Sequence, residues 1–337
     1  MKDVAEHAGV GIGTVSRVMT NSGAVSAETR RRVEESARLL NYRPSALGRG
    51  LRHQRTTNIG LIVADISNSF YGEFAEAVLR TARSTGRRVI VCSSDEDVTL
   101  ERDYIDLLIE ERVEGVIAFP TGGNVDAWRS AQQLGINLVF ADRTVDELPV
   151  PAVLVDHHAG SRALTEYLIA LGHRRIGYLG GQLSLTSGRL REDGYRDACR
   201  RAGVEVDEDL IIRGHFTRDT AHASATRLLQ VPERPSALIA SNNVLGEAAL
   251  AALRDNGLGV PDDMSFVMFD DPPWASIVHP AVTVLAQPVT TMGQTAARLV
   301  SAPPGRDSVV PHVLAGELRI RESTRAVGGV GAAQRRT

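Results

Sequence analysis

The chain has 337 residues, 43% of them apolar and 23% charged, with a formal net charge of −3. This is ordinary globular usage, which excludes a disordered or fibrous protein, and the length allows a sizeable core in two or three domains. The two cysteines, Cys92 and Cys199, are too few and too far apart for a disulfide framework or a zinc site. No apolar run reaches membrane-spanning length and the amino end has no long apolar signal region, so a soluble cytoplasmic protein without metal or cofactor is expected.

Charge is unevenly placed. Residues 1 to 55 carry Lys2, the chain's only lysine, and nine arginines against five acids, a balance of +5 that leaves −8 on the remainder. A basic first sixth on an acidic body points to an anionic partner for that sixth alone.

In chain order, "DVAEHAG" predicts a short helix with Val4, Ala5 and Ala8 on one face, stopped by Gly9. "TVSRVM" predicts a second helix after a tight turn, with Val15, Val18 and Met19 facing in. Ser26 is suited to N-cap a third, with Glu28 in its first turn and Val33, Ala37 and Leu40 on the buried face; Asn41 and Pro44 end it. Helix, tight turn, helix is the pattern whose second helix enters the DNA major groove. Ile12, Gly13, Thr14, Ser16 and Arg17 would point away from the small core. Arg17 could take guanine bidentately, and Thr14 and Ser16 are sized for phosphate or base-edge contacts. The pattern alone equally fits a plain helical hairpin with a solvated face. Glycines 9, 11 and 13 do not make a dinucleotide loop, because no strand precedes them.

"RPSALGRGLRHQRT" (43 to 56) holds four arginines and no acid. Leu47 and Leu51 stand four apart, as on one helix face, but Gly48 and Gly50 each cost about 1 kcal/mol in a helix. The segment is therefore expected to order only against a surface such as the minor groove, where leucine can wedge and arginine can meet phosphate. A solvated tether is the alternative.

From Asn58, apolar runs alternate with helical patterns. Strands are expected in 59 to 65, 88 to 94, 113 to 119 and 136 to 142, and the series restarts with five more between 152 and 271. About nine strands joined by crossover helices predict an α/β core of parallel sheets covered on both faces, in two similar lobes. Ligands in such folds sit beyond the carboxyl ends of strands. "DHH" (156 to 158) is expected to be a turn, because adjacent histidines on a strand face opposite ways and cannot share a metal. No nucleophile elbow is present.

"KDVAEHAGVGIGTVSRVMTNSGAVSAETRRRVEESARLLNYRPSALGRGLR" resembles the headpiece and hinge of the lactose-repressor family of bacterial transcription regulators. "TNIGLIVADISNSFY", "VDHHAGSRALTEYLIALGHRRIGYLGG", "MSFVMFDDPPWAS" and "TVLAQP" extend the resemblance, in the family's order, to about Arg325. The resemblance implies a small all-α helix-turn-helix headpiece (1–43), a hinge helix and linker (44–57) and a two-lobed periplasmic-binding-protein-like effector core (58–325); the tail (326–337) has no periodicity and is expected to be disordered. One lobe would take about 58–155 and 288–315, the other about 156–287 and 316–325. It further implies a homodimer on a near-palindromic double-stranded operator, contacted by Ile12, Gly13, Thr14, Ser16, Arg17, Asn21, Ser26, Thr29, Tyr42, Ser45, Ala46, Arg49 and Leu51, with Leu51 as the minor-groove wedge.

Carried over by position, the effector residues are Asn68, Phe70, Tyr71, Asp142, Arg191, Phe216, Asn242, Asp270 and Gln287. Carboxylates, amides and a guanidinium around aromatic rings suit a neutral polyhydroxylated ligand, a sugar first and a nucleoside or purine second. Each has a plainer reading: the rings as core, the aspartates as turn or capping groups. Gly11, Gly13, Gly48 and Gly50 depart from the family's side chains, as does Asn243, which replaces a common Asp. The expected function is a ligand-responsive transcriptional regulator, most simply a repressor. A solute-binding protein would leave residues 1 to 55 unexplained, and an enzyme would need a phosphate loop or nucleophile that is absent.

Overall fold

A computed structural model describes residues 1–19, 22–42, 56–214, 218–302 and 310–328. The chain divides into two units, Met1–Thr56 and Thr57–Thr337. Asn21, Ser45, Ala46, Arg49, Leu51 and Phe216, and the whole of 43–55, lie outside the described residues.

In the first unit, α1 (Lys2–Ala8), α2 (Ile12–Met19) and α3 (Ala27–Leu39) close on Val4, Ala5, Ala8, Val15, Val18, Val33 and Ala37. Gly9 ends α1 in the left-handed region at φ 61°, which glycine adopts without a Cβ penalty. Arg32 of α3 donates to the freed Ala8 carbonyl at 2.6 Å, and His7 meets Ser36 at 3.0 Å. Ser26 caps α3, accepting from the Thr29 N–H at 3.2 Å. Leu40 was expected on the buried face and is instead 42% exposed. The helix ends at Leu39, so the 3.6-residue periodicity no longer carries the next side chain inward.

Among its described residues the second unit holds twelve strands: β1 (Asn58–Val63), β2 (Arg88–Ser93), β3 (Gly115–Ala118), β4 (Asn137–Ala141), β5 (Ala152–Val155), β6 (Ile176–Gly180), β7 (Ile211–Arg213), β8 (Ala237–Ala240), β9 (Ser265–Phe269), β10 (Thr283–Ala286), β11 (His312–Leu314) and β12 (Glu317–Arg319). They form two six-stranded sheets, ordered β11-β5-β4-β3-β1-β2 and β12-β10-β9-β8-β6-β7. The nine expected strands are all there; the last three were not foreseen. β12 pairs antiparallel with β10, so the second sheet is not wholly parallel as expected.

Strand alternation puts a core on each face of each sheet. Leu61, Ile117 and Val139 pack with Phe74 and Met292 on one face, while Ile62, Ala118 and Phe140 pack with Ile105 and Trp128 on the other. In the second sheet, Leu238, Phe266 and Met268 face one way and Ile239, Val267 and Phe269 the other. The covering helices of the first lobe are α4 (Ser69–Ser84), α5 (Val98–Glu110), α6 (Val125–Gln133) and α11 (Val289–Ser301); those of the second are α7 (His157–Ala170), α8 (Thr186–Arg201), α9 (Arg218–Leu229) and α10 (Asn243–Asp255). Gly160 lets α7 lie close on its sheet, since a Cβ there would stand 2.2 Å from Leu285 Cδ2.

The chain passes between sheets three times: after β5 at Asp156, after β10 at Gln287, and between β11 and β12. The expected turn at 156–158 is the start of α7, with Asp156 as N-cap accepting from the Ala159 N–H at 2.9 Å. Ala326–Gly328, expected in a disordered tail, are ordered against α7: the Val327 N–H donates to Leu171 O at 2.8 Å.

Candidate functional site

On the headpiece, the three helices bury one side of α2 and leave the other to solvent. Ile12 is 51% exposed, an apolar side chain with no packing role in the unit. A Cβ added at Gly11 or Gly13 would meet nothing within 4 Å, so this end of α2 is flat backbone. Arg17 is exposed, its guanidinium lying back along α2 toward Gly13 O at 3.3 Å and Thr14 Oγ1 at 3.4 Å. Ser26 and Thr29 also bond one another through their hydroxyls at 2.8 Å, and Tyr42 packs partly on the small core. Thus Ile12, Gly13, Thr14, Ser16 and Arg17 share one surface helix.

In the core, strand ends from both lobes face each other across a cleft with a cavity of ≈ 90 Å³. Eight of the nine carried-over effector residues line it: Asn68, Phe70, Tyr71, Asp142, Arg191, Asn242, Asp270 and Gln287. Asn68 N-caps α4 and Asn242 N-caps α10, so each amide is fixed by a helix start on its own lobe. Phe70 and Tyr71 therefore stand in the first turn of α4. Phe70 lines the cavity and is also core, edge-on to Phe119 at 5.9 Å between centroids.

Asp142 follows β4 and Asp270 follows β9, one on each wall, with φ of 65° and 72°. Left-handed backbone at a non-glycine residue costs roughly 1 kcal/mol or more, and it aims both carboxylates into the cleft rather than along the strands. Asp270 accepts from the Asn243 N–H at 3.1 Å and from Gln287 Nε2 at 2.6 Å. Burial raises its pKa above the usual carboxylate value, against the opposing pull of Arg191 and these donors. Asp142 is equally buried, but there the nearby ring N–H of His157 and the charges of Arg191 and Arg143 outweigh burial and hold its pKa well below that value.

Arg191 stacks over Phe269 with its Cζ 4.3 Å from the ring centroid and donates through Nη1 to Ser241 O at 2.6 Å. Its Nη2 lies 3.6 Å from Asp142 Oδ1, across the lobes. A second guanidinium, Arg143, is 3% exposed and gripped bidentately by Glu96 at 2.7 and 2.8 Å, with Tyr71 Oη 3.1 Å away. Burial pushes the Tyr71 hydroxyl well above its ordinary pKa, so it stays neutral. Among the described residues, three buried atoms that line the cleft make no hydrogen bond of good geometry: Asp142 Oδ1, Arg143 Nε and Gln287 Oε1.

The lobes also touch directly. Asn243 Nδ2 donates to Asn68 Oδ1 at 2.7 Å and Asn68 Nδ2 to Asn243 Oδ1 at 3.2 Å, a reciprocal amide pair. The Thr144 N–H donates to Thr186 Oγ1 at 3.1 Å. Glu96, Arg143 and His157 were missed in the sequence. Arg143, beside Asp142 at a strand end, was legible by the same rule that found Asp142; Glu96 and His157 sit in a loop and a helix start whose geometry no local pattern specifies. Among the described residues no cluster of three metal-ligating side chains exists. Nor is any helix among them long and apolar enough to cross a membrane.

Residues 1–45 match the model of "Bacterial regulatory proteins, lacI family", and 165–324 match a "Periplasmic binding protein-like domain". The HTH-type transcriptional regulator DegA of Bacillus subtilis is 36% identical over 332 residues, 96% of this chain and 97% of that protein. The chain belongs to the lacI family of bacterial regulatory proteins. Among solved structures, the lac repressor dimer bound to operator and the anti-inducer ONPF is 28% identical, covering 96% of this chain and 98% of that one with a TM-score of 0.81. The transcriptional regulator CelR–cellobiose complex is 31% identical, with 96% and 98% coverage and a TM-score of 0.72. As a lacI-family member the protein is a DNA-binding, ligand-responsive transcriptional regulator, which also accounts for the basic first unit that a solute-binding protein would leave without a purpose.

Proposed function

We propose that this regulator binds a near-palindromic operator as a homodimer and that its effector is a neutral sugar held in the cleft. The cleft chemistry carries this reading. Among the described residues its two guanidiniums already face carboxylates, Arg143 with Glu96 at 2.7 Å and Arg191 with Asp142 at 3.6 Å, so the positive charge that would draw a phosphate or carboxylate ligand is already countered. What remains unsatisfied is a carboxylate oxygen, an amide oxygen and a guanidinium N–H, which suit hydroxyl groups that donate and accept. The cellobiose complex of CelR supports the same ligand class.

Asn68, Tyr71, Asp142, Arg191, Asn242, Asp270 and Gln287 would hold the hydroxyls, with Phe70 and Phe216 offering ring faces. The cavity is smaller than the roughly 300 Å³ at which small-molecule sites begin, so the lobes must part to admit a sugar ring. The cross-lobe contacts then reform around it or give way, and this is the differential interaction a ligand needs to shift a two-state equilibrium. On DNA, Ile12, Gly13, Thr14, Ser16 and Arg17 would face base edges in the major groove. Asn21, Ser26, Thr29, Tyr42, Ser45, Ala46 and Arg49 would meet the backbone and linker path, and Leu51 the minor groove at the operator centre.

A thermal-shift panel of neutral sugars, sugar phosphates and nucleosides tests the ligand class, because a ligand that binds only the folded state raises Tm. A neutral sugar should raise it and its phosphate should not. A response to sugar phosphates alone would overturn the reading.

A further inference from the structure

His157, expected to be a turn residue, is the first residue of α7 and is 2% exposed. It belongs to the second lobe. Its Nε2 lies 2.8 Å from the backbone oxygen of Asp142, on the first lobe, and 3.2 Å from that residue's Oδ1. Its Nδ1 receives the Nε–H of Arg191 at 3.2 Å.

These contacts fix the proton. A carbonyl oxygen only accepts, so Nε2 must carry hydrogen; a guanidinium N–H only donates, so Nδ1 must carry a lone pair. An imidazolium has no lone pair to offer Arg191, and the other tautomer would set two lone pairs, Nε2 and the carbonyl, against each other. Only the neutral Nε2–H ring satisfies both neighbours.

We infer that His157 is the positioning residue of the effector cleft: as the Nε2–H tautomer it ties the carboxylate-bearing wall to the guanidinium-bearing wall and presets Asp142 and Arg191 as a ligand-facing pair. The inference rests on the cleft being the effector site. With Nε on His157, Nη1 on Ser241 O and its face on Phe269, Arg191 has Nη2 left to turn toward Asp142 and the cavity. Asp142 is left with Oδ1 unsatisfied beside it. His158, the neighbour in sequence, lies 3.9 Å from Asp197 within its own lobe and takes no part.

The ring's two tasks can be separated. His157→Asn keeps an acceptor near the Nδ1 position and loses the Nε2 donor; His157→Gln keeps a donor near Nε2 and loses the acceptor; His157→Phe loses both. Two-bond ¹H–¹⁵N spectra of the full-length ¹⁵N-histidine-labelled protein should show His157 with Nδ1 unprotonated and Nε2 protonated. The Arg191 Nε–H should exchange slowly in the wild type and in His157→Asn, and rapidly in His157→Gln and His157→Phe. An imidazolium, an Nδ1–H tautomer, or unchanged Arg191 exchange in His157→Gln would overturn the inference, and these data suffice should His157→Phe fail to fold.

Whichever of D-ribose, D-glucose or cellobiose raises the wild-type Tm should bind His157→Phe about ten-fold more weakly, the scale of one lost hydrogen bond to a charged group. If none does, the sugar reading fails while the tautomer and exchange data still decide the role of His157.

Discussion

Replacing Asn243 with Ala removes both halves of the amide pair that joins the lobes, 2.7 and 3.2 Å long, while leaving its backbone N–H on Asp270. Asn243 is 3% exposed, so neither bond is traded freely with water while the lobes are closed. At about 0.5–1.5 kcal/mol each, the two bonds favour closure by about 1–3 kcal/mol, or about 5- to 150-fold in the closed-to-open ratio. Alanine is also the best helix former, so α10 itself should not suffer. Spin labels on cysteines replacing Leu134 of the first lobe and Arg254 of the second, both exposed, would report the lobe separation by pulsed dipolar spectroscopy. The native Cys92 and Cys199 are buried, and dilution into unlabelled protein would leave only distances within one chain. The wild type should give one narrow distribution and the variant a second, longer population. Identical distributions would refute the latch and show that the remaining cross-lobe contacts alone set closure.

Asp270→Asn should stabilise the ligand-free protein and abolish its sugar response. Because burial raises the Asp270 pKa above its unfolded value, its stability contribution is present below the unfolded pKa and lost as pH rises; the variant's Tm advantage should therefore be absent near pH 3 and present at pH 7. Asparagine tolerates the left-handed backbone there, so strain should not mask the effect. Glu208, held by Arg196 and Arg213, falls from its ordinary 4.5 to about 2, so its contribution is present above 4.5 and lost as pH falls toward 2. Glu208→Gln should slightly narrow the Tm difference between pH 7 and pH 3, the exposure of the pair keeping the change small. Gly13→Ala adds a Cβ into open space on α2 and should raise amide protection in the headpiece about five-fold, the equivalent of ~1 kcal/mol of helix propensity; unchanged exchange would mean that α2 is not what limits opening of that unit.

What the sequence disclosed follows from range. Strands β1 to β9 are near-continuous apolar runs, and their faces alternate as a doubly covered sheet requires. β11 and β12 are three residues long and largely exposed, so they leave no apolar run to find; they exist because a neighbouring strand offers an unpaired edge. The start of α7 was hidden because its buried face includes His157, Gly160, Ser161 and Thr165, small or polar residues that close packing selects and hydrophobic periodicity does not register. Asp142 and Asp270 were legible as strand-end acids. That Asp142 is ion-paired and Asp270 is bonded to an amide and a helix start is set by residues more than ten positions away, which no local pattern reports.

Coupling between cleft and operator is what makes the protein a ligand-responsive regulator. With an operator selected from random duplexes and a sugar found by thermal shift, fluorescence anisotropy of the full-length protein gives operator Kd with and without sugar. Titration calorimetry gives sugar Kd with and without operator. The two ratios should differ from one and match, as linkage demands. A sugar that fills the cleft with the same affinity on and off the operator would contradict the account.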